Sequence, residues 1–119
     1  MEQFEVLFYD LPGGGEPARE FLDGLNAKMR AKMLRTVKLL QDNGPSLREP
    51  YSKPLNDGIF EVRAKVGTDI SRVLYFFFVG HKIILTNGFI KKTQKTPSAV
   101  LDKAKAYRTE YLQREENQK

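Results

Sequence analysis

Between Asn56 and Pro97, apolar and polar positions alternate in a way that predicts three strands joined by tight turns. Ile59 to Val66 puts Phe60, Val62, Ala64 and Val66 on one face and Ile59, Glu61, Arg63 and Lys65 on the other, giving one dry side and one polar side. Arg72 to Val79 does not alternate. Val73, Tyr75, Phe77 and Val79 face one way and Arg72, Leu74, Phe76 and Phe78 the other, so this strand is apolar on both sides and belongs in mid-sheet. Asp57-Gly58 and Gly80-His81 fit two-residue hairpin turns, and Gly67-Thr68-Asp69-Ile70 makes a longer connection. The segment predicts an antiparallel meander.

A two-residue turn at Gly80-His81 pairs Val79 with Lys82, Arg72 with Phe89 and Phe78 with Ile83, and puts Lys91 on the face of Arg72. Pairing Val66 with Ser71 would set Lys65 opposite Arg72. Arg63, Lys65, Arg72 and Lys91 then gather on one face near one end, whereas a one-residue slip sends Arg63 and Lys65 to the other side. In this register Leu74, Phe76, Phe78, Ile83 and Leu85 share that face, and any part of them left uncovered would suit a partner helix or strand.

Upstream, Gln3 to Tyr9 reads as a first strand, ended by Asp10 to Gly15. Three consecutive glycines there lack the GK[ST] of a phosphate loop and read as a flexible turn. Glu16-Pro17 opens a helix running to about Leu25. Lys28 to Gln41 is a second helix, whose Leu25, Met29, Met33, Val37 and Leu40 stripe packs on the sheet. Its outer face carries Lys28, Arg30, Lys32, Arg35 and Lys38, either an RNA-contacting stripe or a solvated surface. Asp42 to Pro45 stops it, and Tyr51 to Asn56 is a short edge strand because Pro54 cannot donate to a ladder. Thr96-Pro97 predicts a capped start for a last helix with Val100, Leu101, Ala104, Tyr107, Tyr111 and Leu112 on its apolar side, and the polar tail from about Arg114 is expected to fray.

The 119 residues suit one domain over residues 1–119, burying roughly two thirds of the surface an unfolded chain exposes. There is no Cys, which excludes disulfides, thiolate zinc sites and a cysteine nucleophile. No leader and no run near the ~18 apolar residues of a membrane span is visible, so a soluble cytoplasmic protein is expected. The net charge is +5, and residues 58–105 hold nine Lys/Arg against three Asp/Glu, so the basic excess lies in the sheet and its exit. Such a local excess suits a polyanion; the bland alternative is a solvated basic surface.

Catalytic groups of the usual kinds are scarce. The single His81 falls in a turn at the far end of the sheet from the basic cluster, and no spacing of His and carboxylates suggests a metal site. An array of Lys and Arg can nonetheless act on RNA, whose 2′-hydroxyl supplies the nucleophile, by orienting that group and stabilising charge on the phosphorane. Neither metal nor cofactor is required for this. A non-catalytic basic sheet explains the same residues.

GIFEVR at 58–63, SRVLYFF at 71–77 and NGFIKKTQKTP at 87–97, followed by a helix of the type AVLDKAKAYR, resemble the phage-derived HigB branch of the RelE/ParE toxin superfamily. The resemblance covers nearly the whole chain. It implies a small α+β domain of RelE-like fold, an antiparallel sheet with the helix pair on one face and the terminal helix at its edge. It also implies a type II toxin that cleaves mRNA on the translating ribosome and is silenced by a HigA-like helix-turn-helix antitoxin, through which alone it would meet operator DNA. By the same resemblance Arg63 contacts the scissile phosphate or holds the site, Arg72 stabilises transition-state charge, and Lys91 joins them as a third catalytic residue. Lys92 and Lys95 grip RNA backbone with Lys91, Lys65 is a further RNA contact, and Glu61 orients Arg63. Relatives often carry Tyr or His near the end of the sheet where this chain has Phe89 and Thr93, so the resemblance assigns no general base. Two alternatives stay open: a ParE-like gyrase inhibitor without nuclease activity, and a non-catalytic nucleic-acid-binding module.

Overall fold

Asp57 and Gly58 both adopt positive φ, 53° and 77°, which closes the hairpin the sequence predicts and joins Ser52–Pro54 (β2) to Phe60–Val66 (β3). A second tight turn at Gly67-Thr68 leads into Asp69–Phe78 (β4), and a connection over Val79, Gly80 and His81 leads into Lys82–Lys91 (β5). With Glu5–Phe8 (β1) these form a five-stranded sheet in the order β1-β5-β4-β3-β2. The computed structural model describes residues 4–91 and 95–118. The α+β architecture is the one expected, with one refinement: β1 pairs parallel to β5, so the sheet is mixed.

Pro17–Asp23 (α1) and Ala27–Asn43 (α2) cover one face. Asn26 caps α2, its side chain accepting from the Met29 amide at 2.9 Å. Arg30 reaches back across the hairpin to donate to the carbonyls of Leu22, Asp23 and Leu25, which satisfies the open end of α1. One member of the suspected RNA stripe is therefore a structural clamp. The core between helices and sheet is built from Leu22, Met29, Met33 and Leu40 of the helices and Val62, Val73 and Tyr75 of the strands, so the methionines fill core as expected. Gly88 allows α1 to press against β5: a Cβ there would sit 2.4 Å from a Phe21 ring carbon and 2.8 Å from the Arg72 carbonyl oxygen.

Ser98–Asn117 (α3) lies across the opposite face, over Leu74, Phe76 and Ile84, where an edge position was expected. The cause is the two-sided apolarity of β4, whose second face needs its own cover. Tyr111 meets Phe76 and Phe78 edge to face, and Tyr107 stacks on Tyr9. Arg114 does not begin a frayed tail. It pairs with Asp10 at 2.9 Å and with Glu110, and α3 continues to Asn117. None of the described helices is long and apolar enough to cross a membrane.

Two registers differ from expectation. Val66 pairs with Asp69, so Arg63 faces Arg72 and Lys65 faces Ile70; Gly67, at φ 62°, makes the turn tighter by two residues and leaves every side chain on its predicted face. On the other side of β4 the expected pair Arg72 with Phe89 holds, but a bulge at Thr86 shifts the rest, so that Phe78 meets Lys82 and Phe77 meets Ile83. Ile83 and Leu85 therefore face the helix pair, away from Arg72. Leu74 and Phe76 are also covered, so of the apolar patch suggested for a partner only Phe78 keeps partial exposure.

Candidate functional site

Glu61, Arg63 and Arg72 converge on the α3 side of the sheet because β3 and β4 pair in a register that sets the two arginines directly opposite each other. Glu61 Oε2 lies 2.9 Å from Arg63 Nε and 3.4 Å from Arg72 Nε, and Oε1 accepts from the Thr96 hydroxyl at 2.5 Å. The polar face predicted for β3 is thus folded inward. Glu61 and Arg72 are fully buried, while the Arg63 side chain keeps 12% of its surface.

Arg72 rests on the ring of Phe89, its guanidinium carbon 5.1 Å from the centroid. Burial lowers its pKa from the ordinary arginine value; Glu61 pulls it back up, and Arg63 pushes it down. A guanidinium keeps its charge in proteins, so the opposed pair is a pair of cations. Like charges directly opposite on adjacent strands are destabilising, and the shared carboxylate offsets that repulsion.

Two residues further along the same face, Lys65, Ile70 and Lys91 form one row across three strands, with both lysines exposed. Lys95 is exposed next to Thr96, beside a surface depression it shares with Lys53, Asn56 and Leu101. Lys92 and Thr93 lie outside the described residues. The structure therefore brings Glu61, Arg63 and Arg72 into contact and sets Lys65 and Lys91 at the open end of the same face.

Thr96 was legible only as a helix cap. No side chain caps α3, whose N-cap is Pro97, and Thr96 is spent on Glu61 across 35 residues of sequence. Tyr75 points into the opposite core, its hydroxyl 2.6 Å from Ser52 Oγ and its pKa pushed up to about 12 by burial, so it takes no part. His81 packs edge-on to Phe4 at the far end of the sheet. Among the described residues no three His, Asp or Glu side chains gather as metal ligands would.

A family model described as "Phage derived protein Gp49-like (DUF891)" matches residues 20–109, a span that contains Glu61, Arg63, Arg72, Lys91 and Thr96. No curated protein matches the chain.

Proposed function

The chain belongs to the Gp49-like family of phage-derived proteins, a family associated with the toxins of toxin-antitoxin systems, and on that basis we propose that it is a type II toxin cleaving mRNA on the ribosome, held silent by a cognate antitoxin. The observation that supports a nuclease is the charge arrangement: two arginines opposed on one buried carboxylate, with Lys65 and Lys91 exposed on the next row of the same face. Core packing alone does not call for this arrangement, since apolar residues of similar volume fill such space at no greater cost.

In this reading the RNA provides the nucleophile. The 2′-oxygen forms a bond to phosphorus as the bond from phosphorus to the 5′-oxygen breaks, leaving a cyclic phosphate and a 5′-hydroxyl. The proton released by the 2′-hydroxyl is matched by the one the leaving oxygen gains. Arg63, the guanidinium that reaches the surface, and Lys91 meet the non-bridging oxygens as charge builds on them. Arg72 lies beneath and acts through its neighbours, fixing Glu61 and so the direction of Arg63. Lys65 and Lys95 hold the RNA backbone, and the resemblance adds Lys92 to them.

Burial of Arg72 favours a second reading, in which the cluster is a strut and the lysines a binding surface without chemistry. Inducible expression of wild type and Arg63→Ala in bacteria, with transcript ends mapped on translated and untranslated messages, separates the two. Arrest with cuts confined to translated messages, both lost in Arg63→Ala, supports the nuclease. Arrest without cuts but with altered DNA supercoiling would identify a gyrase inhibitor, and no effect from well-expressed protein leaves the binding module.

A further inference from the structure

Toward the open end of the sheet, β2 stops at the pair Ser52 with Val62, and the outer edge of β3 beyond it borders a cavity of about 220 Å³. Its walls come from four places in the chain: Lys32 and Thr36 on α2, Tyr51 ahead of β2, Arg63 and Lys65 on β3, and Ile70 on β4. The lining holds three cations and, among the described residues, no carboxylate. Lys32 donates to the backbone carbonyl of Lys65, which draws its ammonium to the cavity rim, and an ammonium has three donors in all.

Tyr51 is the unusual member. The residue is 46% exposed, yet its backbone is fixed on both sides: the amide donates to the Arg48 carbonyl at 3.0 Å and the carbonyl accepts from the Arg63 amide at 2.8 Å. The backbone that carries this accessible aromatic residue is thereby held at a set position relative to Arg63. A flat π-face beside a cationic rim is the combination that takes an unpaired base together with its phosphate. The cavity is smaller than the ~300 Å³ at which pockets for drug-sized ligands begin, so it has room for a single base. An acidic peptide would satisfy the cations and leave the ring without a partner.

The geometry points to a subsite for one nucleotide of single-stranded RNA, its base on the Tyr51 ring and its phosphate against Lys32, Arg63 and Lys65. This rests on the reading of Arg63 as an arginine that meets RNA, and places the bound strand around the β3 edge of the sheet as well as across its α3 face.

The test is fluorescence anisotropy with a short labelled 2′-O-methyl oligoribonucleotide, which lacks the nucleophile and so reports binding without cleavage. Tyr51→Ala weakens binding about tenfold and leaves the salt dependence of the wild type, since it removes stacking and no charge. Lys32→Gln and Lys65→Gln each reduce the slope of log K against log salt by about 0.7, a change that a merely structural role would not produce. Wild-type affinity in Tyr51→Ala, unchanged slopes in both lysine variants, displacement by polyglutamate as efficient as by unlabelled RNA, or no binding by the wild type would each overturn the subsite. Growth arrest, read in parallel, keeps the two ideas apart. Arrest that depends on Arg63 alongside RNA binding indifferent to Tyr51 removes the subsite and leaves the toxin; Tyr51-dependent binding by a chain that never arrests growth does the reverse.

Discussion

Arg63 and Arg72 stand directly opposite each other on β3 and β4, and their Nε atoms approach one and the same oxygen of Glu61, at 2.9 and 3.4 Å. Glu61 is completely buried, so its charge is what makes the two guanidiniums tolerable. Glu61→Gln is expected to cost about 3–5 kcal/mol, the usual consequence of removing one partner from a buried ion pair. Urea unfolding checks this: the midpoint falls while the slope holds. Arg63→Gln is expected to cost less, because its side chain remains partly in water.

Alkaline conditions should loosen the protein from both faces of the sheet. Burial pushes Tyr9 and Tyr75 up to about 12, helped at Tyr9 by the bond its hydroxyl donates to Glu110 and opposed at Tyr75 by Ser52. Unfolded tyrosines lose their protons near pH 10. Between about 10 and 12 the folded state binds more protons than the unfolded one, so this contribution is complete below pH 10 and disappears as pH rises through 12. The loss is at most about 3 kcal/mol per tyrosine. Tyr75→Phe is expected to flatten the alkaline limb of stability against pH, and an unchanged limb would exclude Tyr75 as a contributor.

Gly88→Ala is expected to destabilise by about 1–3 kcal/mol through overpacking. The added Cβ would lie within 3 Å of both the Phe21 ring and the Arg72 carbonyl oxygen, and the latter is backbone that cannot rotate away. Phe21→Leu in the same chain should restore part of the loss, measurable as a non-additive double-mutant cycle.

The strands, their faces and the Arg72 with Phe89 pair were legible because one face of β3 and both faces of β4 carry an unambiguous apolar pattern. What failed did so for local reasons. The bulge at Thr86 is a single extra residue whose hydroxyl lies 3.1 Å from the Leu74 carbonyl oxygen, and nothing in a Thr-Asn-Gly stretch announces it. Because it falls between the turn and the site, Ile83 and Leu85 changed faces while Arg72 kept its partner. The shared carboxylate was readable in part, as Glu61 orienting Arg63, but its burial was not: Thr96 and α3 reach it from more than 30 residues away. The end of α3 misled for a similar reason, since its anchors on Arg114 are polar and distant.

Those anchors make the next expectation specific. Arg114 pairs with Glu110 and with Asp10, 104 residues earlier, and its guanidinium also lies over the Tyr9 ring. Arg114→Ala is expected to lower stability by about 1 kcal/mol, the upper range for partly exposed pairs, and to speed amide exchange in the last turns of α3. The hydrogen bond from Arg114 holds the Glu110 carboxyl below its usual range. That contribution is present above the unfolded carboxylate value and fades as pH falls through the folded one, so wild type and Arg114→Ala should converge in acid.

Whether Arg72 acts on RNA or only through Glu61 can be decided by separating its charge from its volume. Arg72→Ala alone is uninformative, because it leaves Glu61 with one partner fewer and a void over Phe89, and the fold suffers for both reasons. The double variant Glu61→Gln, Arg72→Met removes the buried pair together and keeps the space filled, so stability is expected to return to within about 1–2 kcal/mol of wild type. Arg63 stays at the surface in that variant with its direction no longer fixed. If Arg72 is a positioning residue, as its burial argues, transcript cleavage in the double variant falls but survives, and Arg63→Lys in that background adds little. Complete loss of cleavage in a stably folded double variant would mean instead that Arg72 emerges to meet the phosphate on the ribosome, and the buried arrangement would then be the resting form of the site.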